Sequence, residues 1–115
     1  MPLYDWNTIE REQMNPAVAR QVIHTERMTV ALIHLAQGAT VPEHAHDNEQ
    51  VSLVQKGRLR FTIAGEERIV VPGQAVHLPP NVPHKVEALE DSLAVDIFTP
   101  RREDWIRGDD AYLRK

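Results

Sequence analysis

The sequence has no cysteine among its 115 residues, so it can form neither a disulfide nor a zinc site built from thiolates. The absence of cysteine fits a reducing compartment. Basic residues are also fewer than acidic ones. The chain has 13 Lys and Arg residues and 17 Asp and Glu residues, so the net charge is −4. This balance provides no basic surface for nucleic acid or for an anionic membrane, and it favours small solutes or proteins as partners.

Long apolar runs are missing as well. No stretch approaches the roughly 20 apolar residues of a membrane span. The first residues, Met1-Pro-Leu-Tyr-Asp-Trp6, have neither a basic start nor the apolar run of an export signal. We therefore expect no membrane segment and a cytoplasmic protein. A length of 115 residues fits one domain, 1–115, with a single core.

What the chain has instead is short runs of β-branched and aliphatic residues separated by Gly, Pro or Asn, a pattern typical of an all-β protein. Lys56-Gly57 and Gly65-Glu66 are predicted to form hairpin turns. The prolines at 79, 80 and 83 should turn the chain before His84. A single helical turn is predicted over Arg101–Ile106. The predicted strands are Ala17–Thr25, Met28–Ala36, Gln50–Lys56, Arg58–Ala64, Glu67–Val71, Ala75–Leu78, His84–Leu89 and Ser92–Phe98.

Two imidazoles and an amide form the most informative group of side chains. His44 and His46 are two residues apart and Gln50 follows four residues later, so in an extended chain all three share a face, whereas Glu49 points to the opposite one. Imidazoles and a carbonyl-type oxygen suit a divalent transition ion. Neutral ligands would make that ion a strong Lewis acid toward an anionic or carbonyl oxygen. The alternative is that a lone His-x-His pair binds no metal and lies on the surface or in the core.

The glycines and prolines around these side chains resemble the two motifs of the cupin superfamily. The first motif is matched by Gly38, His44, His46, Gln50 and Gly57, and the second by Gly65, Pro72-Gly73 and Pro79 to His84. The resemblance implies a double-stranded β-helix, the jelly-roll barrel of cupins, over nearly the whole chain. It also implies one divalent transition metal ion per chain, held by His44, His46, Gln50 and His84. The position of Gln50 is usually Glu in this superfamily. Nickel, zinc, iron, manganese, cobalt and copper all remain open as the metal.

The resemblance divides the chain into an N-terminal arm with the first strand (1–27), a barrel core (28–99) and a C-terminal tail (100–115). Arms of small cupins commonly pair with a second subunit, and the strand edges of a small barrel need covering. We therefore expect a homodimer. The alternative is an arm that folds back on its own barrel.

The C-terminal segment from Asp96 to Trp105, with Tyr112 beyond it, looks like the ending of the pectin-degradation cupins. These enzymes open the ring of 4,5-unsaturated uronates and give a linear keto sugar acid. The resemblance assigns Asp96, Phe98 and Arg102 to the pocket beside the metal. This family also favours Gln at the fourth ligand position. The implied substrate is an anionic sugar.

Each of these three residues could have a role in the chemistry or a purely structural role. Asp96 and Phe98 share a face of the last predicted strand, so a carboxylate and an aromatic ring could reach the metal cavity together. Asp96 could move a proton as the ring opens, or it could hydrogen-bond a loop. Arg102 could clamp a substrate carboxylate with a bidentate fork, or it could be a solvated charge. Phe98 is most simply read as a core residue.

Other functions stay open, because the cupin fold hosts many chemistries. A three-His site with Gln could serve a dioxygenase or a carbon-carbon lyase, and a non-catalytic module could bind a sugar or a metal. The remaining histidines, His24, His34 and His77, are expected to be structural, although His77 lies close enough to the second motif to line the cavity. The faces on which Gln55, Arg58 and Arg60 lie cannot be assigned without a strand register.

Overall fold

Two antiparallel sheets make up the fold in the computed structural model, which describes residues 1–115. The larger sheet has the order β1-β2-β3-β10-β5-β8 and contains β1 (Glu12–Asn15), β2 (Val18–His24), β3 (Thr29–Leu35), β5 (Glu49–Lys56), β8 (Ala75–Leu78) and β10 (Ser92–Thr99). The smaller sheet has the order β4-β9-β6-β7 and contains β4 (Thr40–His44), β6 (Leu59–Ile63), β7 (Glu66–Val70) and β9 (His84–Ala88). The predicted all-β class is confirmed.

The core lies between the two sheets and follows from the alternation of side chains along each strand. In β10, Ala94 and Phe98 point inward and are buried, and Leu59 and Phe61 do the same from β6. These residues belong to one cluster of 17 buried apolar residues drawn from both sheets and from the C-terminal tail. Burial of each large apolar side chain contributes roughly 1.5–3 kcal/mol. The sheets are therefore held face to face around a single interior.

The eight predicted strands are all present, each within one residue of its predicted bounds, but two further strands were missed. Both are edge strands, which form backbone hydrogen bonds to a neighbouring strand on one side only. β1 is polar apart from the buried Met14. β4 contains Pro42, which is tolerated at a sheet edge because its missing N–H is not needed there. β1 pairs with β2 of the same chain, so the arm folds back on its own sheet.

One of the two predicted hairpins is wrong. Glu66 begins β7, which pairs with β6, so the turn at Gly65 does form a hairpin. Gly57, by contrast, joins β5 of the larger sheet to β6 of the smaller one. Its φ is +82°, and a Cβ at this position would lie 2.2 Å from the Ser92 Oγ. Glycine is required there by a close approach between chain segments rather than by a hairpin.

The C-terminal tail packs back onto the barrel. It contains the short helix α1 (Glu103–Arg107), which begins two residues later than predicted, and a 3₁₀ turn over Ala111–Leu113. Asp110 anchors this turn, because its carboxylate accepts a hydrogen bond of 2.6 Å from the buried Arg20 of β2. The Asn15 side chain also donates to the Leu113 carbonyl at 3.0 Å. The tail therefore covers one side of the barrel. Neither helical segment is long and apolar enough to cross a membrane.

Candidate metal centre

Three histidines converge at one end of the barrel. His44 ends β4 and His84 begins β9, and the two are cross-strand partners in the smaller sheet. His46 lies in the loop that leads to β5. One ligand atom from each imidazole lies within 4.8 Å of the other two. The prediction that the first two histidines share the face of one extended strand with Gln50 is wrong, because the chain leaves its extended conformation after His44 and resumes it at Glu49.

The three rings are oriented by the backbone. The Nδ1 atoms of His44, His46 and His84 lie 2.8, 3.0 and 3.0 Å from the carbonyl oxygens of Pro42, Asn48 and Val82. A carbonyl oxygen can only accept, so each Nδ1 carries the proton and each Nε2 presents a free lone pair. Metal-binding histidines are held in the same way. All three rings therefore have the tautomer that a metal ion requires.

The Gln50 amide completes the group from the larger sheet. Gln50 is buried whereas Glu49 is exposed, so the two side chains do point to opposite faces. The Gln50 Nε2 atom donates to the Ser52 Oγ at 2.9 Å, which fixes the amide oxygen toward the histidines. That oxygen lies 3.0 Å from the His46 Nε2 atom. Since both atoms are acceptors in this tautomer, the contact is favourable only if a cation or a proton lies between them. The donor set fits a divalent transition ion.

Electrostatics keep these imidazoles neutral. Burial lowers the pKa of His44 and of His46 to about 4, and repulsion from the other cationic groups of the site adds to the effect. Burial also lowers the pKa of His84. Neutral imidazole is the form that binds a metal. The ligand group is therefore ready to bind an ion at neutral pH without first losing protons.

A carboxyl group lies on the strand next to the amide ligand. Asp96 of β10 is the cross-strand partner of Ser52 in β5, and it lines the central cavity together with Phe98. Burial raises the pKa of Asp96 to about 6, although a hydrogen bond from Ser52 and the charge of Arg102 oppose the rise. Ser52 lies between the two groups, because it is the cross-strand partner of Asp96 and its Oγ accepts a hydrogen bond from the Gln50 amide. A carboxyl group with a pKa near neutrality can both give and take a proton.

Comparison with known proteins places the chain in a family. The cupin domain family matches residues 31–99. The chain belongs to the cupin family. It is 32% identical over 98 residues to the pectin degradation protein KdgF of Dickeya dadantii (strain 3937), and the match covers 83% of this chain and 89% of that protein.

Two solved structures place this cupin among small proteins of similar length. The structure of KdgF from Halomonas sp. superposes with a TM-score of 0.86 at 29% identity, over 91% of this chain and 98% of that one. An RmlC-like cupin from Shewanella frigidimarina gives a TM-score of 0.85 at 26% identity, over 90% of this chain and 94% of that one. The superpositions confirm the double-stranded barrel.

Arg102 is not a solvated charge in this cupin, since its side chain is only 1% exposed. Its bidentate fork is occupied, because Nε and Nη2 donate to the two carboxylate oxygens of Asp104 at 2.9 and 2.7 Å. Nη2 also donates to the Tyr112 hydroxyl at 2.7 Å. Burial opposes the charge of Arg102, but the hydrogen bonds and charge of Asp104 hold its pKa above the usual value. Only Nη1 is left for a ligand, so the bidentate clamp predicted from the sequence is not available in this structure.

Aromatic rings surround the guanidinium group. The Cζ atom of Arg102 lies 4.7 Å from the centre of the Phe98 ring and 4.4 Å from that of Trp105. Such contacts between a cation and a ring favour a buried charge. Phe98 also meets His46 edge-on, with 5.7 Å between ring centres. Phe98 is therefore both a core residue and a wall of the site.

The central cavity is small. It has a volume of about 50 Å³ and is lined by three of the candidate metal ligands, by β10 and by the tail, including His44, Gln50, His84, Asp96, Phe98, Arg102, Trp105 and Tyr112. A second, larger cleft of about 290 Å³ lies between the loop after His44 and the tail, and it reaches His46. The site is thus enclosed by the tail on one side and approached through this cleft on another.

The other residues considered from the sequence lie outside the cavity. His24 and His34 hydrogen-bond to Thr29 and Gln21, and His77 pairs with Glu49 at 2.7 Å on the exposed face. Gln55 and Arg58 are exposed, and Arg60 lies between two glutamates on the outer face of the smaller sheet.

Sequence reasoning missed Ser52, Asp104 and the role of Tyr112. Ser52 could have been found, because strand alternation places it on the face of Gln50.

Proposed function

We propose that this cupin is a metal-dependent enzyme that opens the ring of 4,5-unsaturated uronate monosaccharides and gives linear keto sugar acids during the breakdown of pectin-type or alginate-type uronates. Two observations support the proposal. The relatives from Dickeya and Halomonas are KdgF proteins, and the former is named for pectin degradation. The observation that carries it is the Asp96 carboxyl group, which lines the cavity beside the ligand group and is the cross-strand partner of Ser52, the residue that holds the Gln50 amide.

His44, His46, His84 and the Gln50 amide oxygen would hold the ion, which is one of nickel, zinc, iron, manganese, cobalt or copper. When bound, a divalent ion supplies electrostatic stabilisation of negative charge on a substrate oxygen. Because all four ligands are neutral, none of that charge is cancelled by the protein. A strongly polarising site of this kind suits a substrate that develops an oxyanion.

The reaction requires the movement of one proton and no oxidant. The hydroxyl proton at C1 of the cyclic sugar is removed, the bond between C1 and the ring oxygen breaks, and an aldehyde and an enolate result. The enolate becomes a ketone when C4 gains a proton, so substrate and product are isomers. Asp96 takes the first proton and delivers the second in this proposal. A well-placed acid-base group of this type contributes about 100- to 10,000-fold to a rate.

Arg102 and Phe98 orient the sugar. The free Nη1 atom of Arg102 donates a charge-assisted hydrogen bond to the substrate carboxylate. Asp104 holds the guanidinium group in place and Phe98 lies beneath it. Fixing the substrate in this way favours reaction because the reacting atoms are held at the right distance from the acid-base group.

The size of the cavity has a consequence for binding. Pockets for small molecules usually measure about 300–1,000 Å³, whereas the central cavity measures about 50 Å³. The sugar therefore approaches through the outer cleft of about 290 Å³ beside His46. The homodimer and the cytoplasmic location also stay predictions.

The proposal is tested by following lyase-generated unsaturated uronate by proton NMR with metal-loaded protein. The expected result is loss of the vinyl proton at C4 and growth of a methylene signal, faster than in the spontaneous reaction and without a change in mass. A metal-loaded sample that leaves the spontaneous rate unchanged would overturn the proposal.

A further inference from the structure

We propose that Tyr112 is a substrate-binding residue whose hydroxyl group donates a hydrogen bond to the carboxylate of a bound uronate, beside Nη1 of Arg102. This inference rests on the proposed function and names how the acidic group of the sugar is recognised. Tyr112 lies in the C-terminal tail, 28 residues after the last metal ligand, His84, and belongs to neither metal motif.

The hydrogen bonds of the Tyr112 hydroxyl group leave its own proton unused. A phenol oxygen can accept two hydrogen bonds and donate one. Arg102 Nη2 and Trp105 Nε1 donate to this oxygen at 2.7 and 3.1 Å, so both acceptor positions are taken. The hydroxyl group itself donates no hydrogen bond to a protein acceptor. Its proton must therefore point elsewhere, and the side chain lines the cavity.

Tyr112 and Arg102 then form a pair of neighbouring donors. The Tyr112 hydroxyl touches Nη2, and the free Nη1 atom belongs to the same guanidinium group. A carboxylate has two oxygens and prefers two parallel donors. Asp104 occupies the fork of Arg102, so the arginine alone cannot supply both donors. The tyrosine hydroxyl provides the second one.

The position of Tyr112 is fixed by its ring and by the chain just before it. Its ring stacks on the ring of His44 at an interplanar angle of 29°, with 4.4 Å between centres. Asp110, two residues earlier, is held by Arg20 and Arg114 at 2.6 and 3.0 Å. A donor held in place before the ligand arrives loses little freedom on binding, which is how a single hydrogen bond gains affinity and selectivity.

The experiment compares Tyr112→Phe with Tyr4→Phe, a matched change at the exposed tyrosine of the N-terminal arm. The ring and its stack on His44 remain in Tyr112→Phe, so the absorption spectrum of bound cobalt(II) and the thermal melting profile check that the site is intact. Calorimetry then measures binding of D-galacturonate, which cannot undergo the reaction, and of neutral D-galactose. Steady-state kinetics on unsaturated uronate give KM and kcat separately.

We expect Tyr112→Phe to weaken galacturonate binding about tenfold and to raise KM by a similar factor, with galactose binding unaffected and kcat changed little. Tyr4→Phe should match the unmodified protein. Equal galacturonate affinity and equal KM in Tyr112→Phe would overturn the inference and leave the ring-opening proposal standing. If the unmodified protein binds galacturonate but opens no ring, the proposed function fails, and the binding comparison still decides the role of Tyr112. If it neither binds nor reacts, both are wrong.

Discussion

Asp96 is held where its charged form is unfavourable, so replacing it by Asn should stabilise the metal-free protein while removing its activity. The carboxyl group has a pKa of about 6 in the folded protein, against 3.8 for an unperturbed Asp. A neutral isostere keeps the size of the side chain and can still accept the Ser52 hydrogen bond. The Asp96→Asn substitution therefore removes a charge without emptying the site.

The magnitude follows from the shift of the Asp96 pKa. Each pKa unit corresponds to 1.36 kcal/mol, so the ionised carboxylate costs the folded state roughly 3 kcal/mol at pH 7. With an unfolding entropy of about 2.1 cal/mol/K per residue, Asp96→Asn should raise Tm by roughly 12 °C. Because the folded pKa is the higher one, the contribution of Asp96 to stability is fully present below pH 3.8 and is lost as pH rises through 6. The difference in unfolding free energy between Asp96→Asn and the unmodified protein should fall to roughly 0.5 kcal/mol at pH 4.

The assay is urea unfolding of the metal-free proteins at pH 4, 5, 6 and 7. Asp109→Asn is the matched control, because Asp109 is exposed and its pair with Arg107 is a surface one, which should contribute less than about 1 kcal/mol. A bound divalent ion lowers the Asp96 pKa, so the gain should be smaller in metal-loaded protein. Turnover of unsaturated uronate by Asp96→Asn should fall about 100- to 10,000-fold while metal content stays the same.

Two results would refute this reasoning. If the two proteins have the same unfolding free energy at pH 7, or if their difference does not depend on pH, the carboxylate is not destabilised by burial. Full activity in Asp96→Asn would show that this residue does not move the proton.

Three further predictions concern the ligand set, the tail and assembly. Gln50→Glu should bind metal more tightly and turn over more slowly, because a carboxylate cancels part of the charge of the ion; metal titration and steady-state rates measure both. Asp110→Asn should cost up to about 3 kcal/mol of unfolding free energy, since the buried guanidinium group of Arg20 then keeps only the exposed Glu12 as a counter-charge, whereas Asp109→Asn should cost little in the same urea experiment. The chain should form a dimer in light scattering, and Leu53→Glu, on the apolar outer face of the larger sheet, should give monomers; an unmodified monomer would contradict this.

The sequence predicted the barrel well because strand periodicity and turn residues are local signals. Eight strands were found within one residue, and the histidines at 44, 46 and 84 do converge. The edge strand that ends at His44 was missed because Pro42 argues against a strand unless the edge position is known. The hairpin predicted at Gly57 was wrong because a glycine turn does not indicate whether the next strand belongs to the same sheet or to the other one.

The parts of the site that escaped prediction depend on contacts between distant segments. Arg20 and Asp110 are 90 residues apart and meet only when the tail packs on the larger sheet. Asp104 is close to Arg102 in sequence, yet nothing local shows that it occupies the arginine fork. The stacking of Tyr112 on a metal ligand has no signal in the sequence at all. Such contacts fix the chemistry of a site and can be read only from the folded chain.

Metal-dependent ring opening can be followed by the ultraviolet absorbance of the conjugated enol ether in lyase-generated unsaturated uronate. The decay of this absorbance should be measured with the protein loaded with metal, stripped by a chelator and loaded again. We expect decay faster than the spontaneous rate in the first and third samples and the spontaneous rate in the second. Equal decay in all three samples, with metal content confirmed, would contradict it.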